Sequence, residues 1–375
     1  MAQPRAQRCC RADPCAAMPL TILNVAYALA RVTADSAGGA EQVLGWIDAA
    51  LTRAGHRSLV IAREDSTVAG QLIAVPQPQG SLEDWQTWHR AHEHHRAAIA
   101  RVLRDIPVDV VHMHGLDFNQ YLPRDPDVPV LVTMHLPPQW YAEGALRPTR
   151  ARTVLNCVSE SQRSACPEGV LIARVIPNGV PLAACRVSYR KRRFAIALGR
   201  ICPEKGLHFA LDAARVARIP LVLGGEVFPA RLHCEYFNEQ IAPRLTRTRR
   251  FVGPLRGARK IRLLASAQCL LVPSLAPETS SLVAMEALAC GTPVVAFKSG
   301  ALNEIVEHGR TGFLVEDVRE MSDAISAAAS LDLHLCRAAA EQRFCAKRMA
   351  AEYLELYHQL IPQPDQRRQN LQYAA

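Results

Sequence analysis

The stretch Pro19 to Tyr27, PLTILNVAY, constrains the fold more than any other part of this 375-residue chain. It is almost continuously apolar and only as long as a strand, the pattern of a strand covered on both faces. Strands of that kind belong to parallel sheets, whose crossover helices supply the cover. The sequence that follows meets the requirement. Its spacing predicts a helix over 40–54, a strand over 58–62, a helix over 82–103 and strands over 108–112, 128–134 and 154–158. Alternation of this sort reads as a series of βαβ units.

The pattern breaks at Pro177-Asn178-Gly179-Val180-Pro181 and, after the basic stretch Tyr189 to Arg193, starts again with the apolar run Phe194 to Leu198. Strands are predicted over 221–223, 251–252, 269–272, 293–297 and 312–315, with helices between them. A single core rarely grows to this length, so two domains are expected. The division read from the sequence is a first domain over 18–185, a second over 186–348, and a C-terminal segment over 349–375. Within that segment a helical stripe of Tyr353, Leu356, Tyr357 and Leu360, part of one helix predicted over 336–361, packs back across the domains before a loose tail. Residues 1–17 have neither helical nor strand periodicity. They are expected to be a disordered extension, with Met18 as the functional start.

Composition removes several classes. Hydrophobic residues make up 49% and charged residues 21%, the balance of a globular protein. No apolar run reaches the length of a membrane span, and Asp13 and Pro14 interrupt any secretory signal, so a cytoplasmic location is expected. The twelve cysteines show no CxxC pair or repeated spacing, which favours reduced thiols over a disulfide scaffold. A net charge of +9 suits an anionic partner. With few aromatic residues and no nucleic-acid motif, that partner is not expected to be nucleic acid.

Neither domain carries a GxGxxG fingerprint or a GxxxxGK[ST] loop, so dehydrogenase and P-loop readings lack their defining residues. Directly after the strand 194–198, however, comes Gly199-Arg200-Ile201-Cys202-Pro203-Glu204-Lys205-Gly206. Arg200 and Lys205 would stand over the carboxyl edge of a parallel sheet, where such sheets bind ligands. Further on, Glu278 and Glu286 bracket a stretch in which Thr279, Ser280 and Ser281 can cap an amphipathic helix. A helix N-terminus binds anions, and carboxylates accept hydrogen bonds from ribose and hexose hydroxyls.

The order and spacing of Arg200, Lys205, Glu278, Glu286 and Gly291-Thr292-Pro293-Val294-Val295 resemble the retaining glycosyltransferases of family 4. Smaller matches lie at Gly38-Gly39-Ala40-Glu41, His112-Met113-His114, Thr133-Met134-His135, Ile176 to Val180 and Glu307 to Val315. The resemblance implies an α/β fold of the GT-B kind, two Rossmann-like doubly wound domains facing a central cleft. It implies that Arg200 and Lys205 grip the donor diphosphate, that Glu286 binds ribose and that Glu278 touches the transferred sugar. Backbone at Ser281 and Leu282 would add donors to the phosphates, Gly253 would run beside the base, Gly39 would let the first-domain loop approach the phosphate, and His135 would face the sugar. The co-substrate would be a nucleotide-diphosphate sugar, the partner a hydroxyl-bearing acceptor, and no cofactor or metal would be required. Where relatives often carry a glycine and an aromatic residue after the first glutamate, this chain has Thr279-Ser280-Ser281. The competing readings are a non-catalytic nucleotide-sugar-binding scaffold and a hydrolase or epimerase of the same fold.

Two further clusters belong to the surface on this reading. His89, His92, His94 and His95, with arginines between them, form a solvated basic helix face and not a metal site. Arg244, Arg247, Arg249, Arg250, Arg256, Arg259, Lys260 and Arg262 have almost no acidic neighbours in sequence. They either attract an anionic membrane surface or keep the chain soluble.

Overall fold

A computed structural model describes residues 18–361 except 34, 37, 82 and 83. Residues 1–17 and the tail beyond 361, expected to be an extension and a loose end, lie outside the described residues. Thirteen strands form two parallel sheets. In the first are β1 (Thr21–Val25), β2 (Arg57–Arg63), β3 (Gln71–Val75), β4 (Val110–Met113), β5 (Val130–Thr133), β6 (Thr153–Cys157) and β7 (Ile172–Val175). In the second are β8 (Arg192–Leu198), β9 (Leu221–Gly224), β10 (Arg249–Phe251), β11 (Ala267–Val272), β12 (Val294–Phe297) and β13 (Gly312–Val315).

The strand orders are β3-β2-β1-β4-β5-β6-β7 and β10-β9-β8-β11-β12-β13. Each sheet reverses direction of growth between its first strand and a later neighbour, at β1/β4 and at β8/β11. Loops leaving those strands diverge, and the crevice between them is where open α/β sheets hold ligands. The central strands are buried along their length, as the apolar run of β1 demands. Strands β3 and β7, absent from the sequence reading, are the two edges of the first sheet. Each is only partly covered and mixes polar with apolar residues, so it lacks the signature of its neighbours.

The first domain holds α1 (Gly39–Arg53), α2 (Trp85–Asp105) and α3 (Glu160–Ser164). The second holds α4 (Leu207–Val216), α5 (Arg231–Tyr236), α6 (Gly257–Ser266), α7 (Leu282–Ala289), α8 (Leu302–Ile305), α9 (Val318–Ala327) and α10 (Leu333–Arg343). Helix α11 (Ala346–Leu360) returns to the first domain, where Met349, Tyr353, Leu356 and Tyr357 pack with Ile22, Val43 and Ile47 of β1 and α1.

The single helix predicted over 336–361 is therefore two. The ladder explains the break: Val180 N–H donates to the Phe344 carbonyl at 2.8 Å and Ala346 N–H to the Val180 carbonyl at 3.0 Å. The linker between the domains thus pairs with the chain as it crosses back. Phe344 is buried at the crossing, so packing and these two bonds override helical spacing.

Helix α2 corrects a second expectation. His92 and His95 are buried and do not face solvent. His92 Nε2 lies 2.5 Å from Asp117 Oδ2, and His95 Nδ1 lies 3.2 Å from the Ala91 carbonyl. A histidine on the apolar side of a helix has an apolar body to bury, and its polar tip here finds a local partner.

Candidate active site

Two helix N-termini meet where the domains touch. Helix α1 starts at Gly39 and α7 at Leu282, and neither Gly38 nor Ser281 caps its helix through a side chain. A methyl group added to Gly39 would stand 3.4 Å from Leu282 Cδ1, in van der Waals contact, so the two helix ends lie close together. Backbone N–H groups at the start of α7 and the positive ends of two helix dipoles thus lie close together, while in α1 the Glu41 carboxyl turns back on its own N–H. Around it the domains are tied. Thr279 Oγ1 donates to the His135 carbonyl at 2.8 Å, and the Glu304 carboxylate accepts from Glu160 N–H at 3.1 Å and Ser161 N–H at 2.5 Å. Beside this seam a cavity of about 240 Å3 opens between Val158, Pro177, Met285 and Phe344, and Ser280 lines it with a buried hydroxyl that has no partner.

The two glutamates of the second domain are built alike. Glu278 Oε1 is 2.6 Å from Lys205 Nζ and also accepts from Ser274 Oγ. Glu286 Oε1 is 2.6 Å from Lys260 Nζ. Among the described residues neither Oε2 has a hydrogen bond, so each carboxylate has one oxygen held by a lysine and one open. The backbone of Glu278 is fixed too, since Ala301 N–H donates to its carbonyl at 2.7 Å. Gly300, at φ 54°, makes that approach possible: a Cβ there would lie 2.2 Å from the Glu278 carbonyl oxygen.

Arg200 differs from both lysines. Among the described residues no carboxylate lies within ion-pair distance of it. Its charge is felt by Glu41 in the first turn of α1, whose carboxyl is raised above the usual range by burial, against its own backbone N–H and Arg200, which pull it down. Glu41 and Arg200 stand on facing domains, Glu41 in the helix that follows β1 and Arg200 on the loop that leaves β8.

His135 follows β5. Its backbone N–H donates to Tyr141 Oη at 2.9 Å, and its Nε2 lies 3.0 Å from Nδ1 of His114, with the rings stacked at 5.3 Å. Burial pushes the His135 imidazole down to about 3 and that of His114 well below its ordinary value, so both are neutral near pH 7.

Residues 37–184 match the description of Glycosyltransferase Family 4, and residues 192–330 that of Glycosyl transferases group 1. The chain belongs to the family 4, group 1 glycosyltransferases. A D-inositol 3-phosphate glycosyltransferase of Corynebacterium urealyticum is 30% identical over 205 residues, which are 50% of this chain and 46% of that protein. The match thus spans about half the length of that relative. The structure of AviGT4, a glycosyltransferase of avilamycin A biosynthesis, is similar over 91% of this chain and 98% of its own, at 25% identity and a TM-score of 0.68. Anabaena Alr3699/HepE, solved with UDP-glucose, shares the fold over 91% of this chain and 100% of its own, at 20% identity and a TM-score of 0.63. The shared architecture is GT-B, two Rossmann-like domains across a cleft.

In this family 4 member the residues singled out from the sequence lie close in space with one exception of emphasis. Gly39, Ser281 and Leu282 form the helix meeting point, Arg200 flanks it, and His135 is bonded through its carbonyl to Thr279, next to Glu278. Lys205 is turned to Glu278 and is not a free cation. Gly253, at φ 70°, follows β10 and accepts from Gly225 N–H at 3.0 Å, one loop further along the same sheet edge.

The structure also brings in residues that the sequence reading left elsewhere. Lys260 was grouped with a basic run without acidic relief. It is paired with Glu286, Arg244 with Asp212 and Arg256 with Glu226, all across the fold. Nothing in the local sequence marks these pairs, because their partners are far along the chain. Glu41 and His114 stood inside short motifs with no role of their own. Gly300 carried no motif. Its signal is only that a glycine follows the strand preceding α8.

Among the described residues no helix is long and apolar enough to cross a membrane.

Proposed function

We propose that the protein moves a sugar from a nucleotide-diphosphate donor to an acceptor hydroxyl, with retention at the anomeric carbon and with no metal ion. The observation that carries this reading is the meeting of the α1 and α7 N-termini beside Arg200, a cation that has no carboxylate within ion-pair distance among the described residues. Cleavage of the anomeric bond places negative charge on the leaving diphosphate. Donors and a cation held in place beforehand stabilise that charge more in the transition state than in the ground state. Charge compensation then comes from the protein itself, and the reading requires no metal.

The open Oε2 atoms fit the rest of a donor. Glu286 would accept from the ribose hydroxyls and Glu278 from the sugar, each steadied by its lysine. Neutral His135 would face the sugar and the incoming hydroxyl from the first domain. Retention follows from attack on the face that the diphosphate leaves, with a leaving phosphate oxygen taking the acceptor proton. The UDP-glucose complex of HepE and the polyol in the name of the Corynebacterium relative support a nucleotide sugar and a hydroxyl acceptor as the substrate classes.

The test is nucleoside diphosphate release from a panel of nucleotide sugars, with and without hydroxyl acceptors, and the anomeric configuration of the product by NMR. Release that depends on acceptor, with the donor configuration kept, supports the reading. Equal release without acceptor points to a hydrolase. Tight donor binding with no turnover on any acceptor points to a scaffold, and an inverted product removes the retaining mechanism.

A further inference from the structure

His114 lies at the end of β4 and is buried, beneath His135 and above His112. Its ring centroid is 4.0 Å from that of His112 and 5.3 Å from that of His135. One hydrogen bond joins His114 Nδ1 to His135 Nε2 at 3.0 Å. With both rings neutral, one of the two nitrogens carries the proton and the other accepts it.

The remaining nitrogens decide which. His114 Nε2 is buried and has no hydrogen-bond partner among the described residues. If His135 donated, His114 would accept at Nδ1 and carry its own proton on Nε2, an N–H sealed in the core with nothing to receive it. Orphaned buried N–H groups are rarer than under-satisfied acceptors. If His114 donates instead, its Nε2 is left with only a bare lone pair. His135 then accepts at Nε2 and carries its proton on Nδ1.

The layer below cannot change this assignment. Thr133 Oγ1 donates to Asn156 Oδ1 at 2.6 Å, so His112 Nε2, also 2.6 Å from Thr133 Oγ1, must be the donor in that contact. His112 Nδ1 is then an acceptor and receives the Tyr357 hydroxyl of α11 at 2.7 Å. Both nitrogens of His112 are used, and its ring only supports His114 by close tilted packing.

We propose that His114 is a positioning residue that fixes the tautomer of His135, so that His135 presents an Nδ1–H donor to the ligand. Nδ1 is the one His135 ring nitrogen without a hydrogen bond among the described residues, and His135 is partly exposed. Which nitrogen of a histidine is protonated is set by the bond that the other makes. A donor at this place can hold an oxygen of the sugar or of the acceptor, whereas the opposite tautomer would repel its lone pairs. The proposal rests on the reading of His135 as a group that faces the sugar.

The experiment uses the full chain with 15N-labelled histidine and compares wild type, His114→Phe and His114→Asn. Phenylalanine keeps a ring on His112 and removes the donor. Asparagine restores an N–H near the position of Nδ1. The His135 signals, assigned by their loss in His135→Ala, should show a protonated Nδ1 and a bare Nε2 in wild type and in His114→Asn. In His114→Phe both tautomers should appear. In turnover assays His114→Phe should lower kcat several-fold, in proportion to the fraction of His135 that leaves the Nδ1–H tautomer, with donor KM nearly unchanged. His114→Asn should recover most of that loss. A wild-type His135 protonated on Nε2 overturns the proposal, even if His114→Phe does not fold. So does folded His114→Phe with wild-type kcat, or His114→Asn as slow as His114→Phe. If His135→Ala transfers sugar at the wild-type rate while the tautomer is as stated, the role of His135 in transfer fails and the positioning by His114 stands.

Discussion

Replacing Lys205 by methionine should injure the fold as well as the chemistry, and the size of the injury follows from its partner. Lys205 Nζ is 2.6 Å from Glu278 Oε1, with the lysine side chain 28% exposed and the glutamate 8%. Removing one member of a fully buried pair costs about 3–5 kcal/mol, because the other charge stays behind. Water reaches the lysine here, and Ser274 Oγ still donates to the same carboxylate oxygen, so about 2 kcal/mol is expected. For domains of this size that is a fall in Tm of roughly 4–8 °C. Glu278→Gln leaves unpaired only the Lys205 ammonium, which water reaches, and should cost about 1 kcal/mol. The double variant Lys205→Met with Glu278→Gln has no buried ion at all, so it should be more stable than the sum of the singles by about 1–2 kcal/mol. Urea unfolding of the four ligand-free proteins measures the cycle, with sugar transfer followed in parallel. If the two losses add within about 0.5 kcal/mol, the ion pair does not hold Glu278 and the account of a carboxylate with one locked oxygen is wrong.

Arg200→Ala should behave in the opposite way, since no described carboxylate lies within ion-pair distance of it: unfolding nearly unchanged, transfer slower by about 3 kcal/mol, a hundredfold or more at saturating donor. Unaltered turnover would remove it from the site. Gly300→Ala should destabilise by about 2 kcal/mol or more, from a left-handed φ and a clash with the Glu278 carbonyl, and should raise donor KM because Glu278 shifts; a wild-type Tm and KM would contradict this. Acid should weaken the fold through buried histidines. Burial brings His95 down to about 4 from 6.5, so the unfolded chain binds more protons between those values and stability, complete above pH 6.5, is lost as pH falls to about 4. The slope is at most about 1.4 kcal/mol per pH unit from His95, and His95→Phe should flatten it in pH-dependent denaturation.

Fold and site were legible to different degrees for a common physical reason. The central strands announced themselves because a strand covered on both faces must be apolar throughout, as Ile22, Leu23 and Val25 are. Edge strands β3 and β7 escaped because one side of each needs no such cover. The break between α10 and α11 escaped because its cause, Val180, is some 165 residues away in the chain. Periodicity reports what an element needs from its surroundings in general. It cannot report which segment supplies it.

The same limit applies to the charged residues. Arg200 and Lys205 stand together in sequence, yet the structure gives them different work, because Glu278 on another loop claims the lysine and leaves the arginine. Lys260 seemed one cation of a basic run until α6 laid it against Glu286. A cation counts toward an anion site only after the carboxylates within reach have been subtracted, and that subtraction is done in space. On the proposed reading it leaves Arg200 with the two helix ends as the positive surface of the cleft, and it turns Lys205 and Lys260 into the supports of the two glutamates. The net charge of the chain could therefore point to an anionic ligand but could not say where it would bind. The burial of Glu41 near Arg200 makes the point most sharply: on the proposed reading, an acid in the wall of an anion site is tolerable only where it is held off its charged form, which burial here favours.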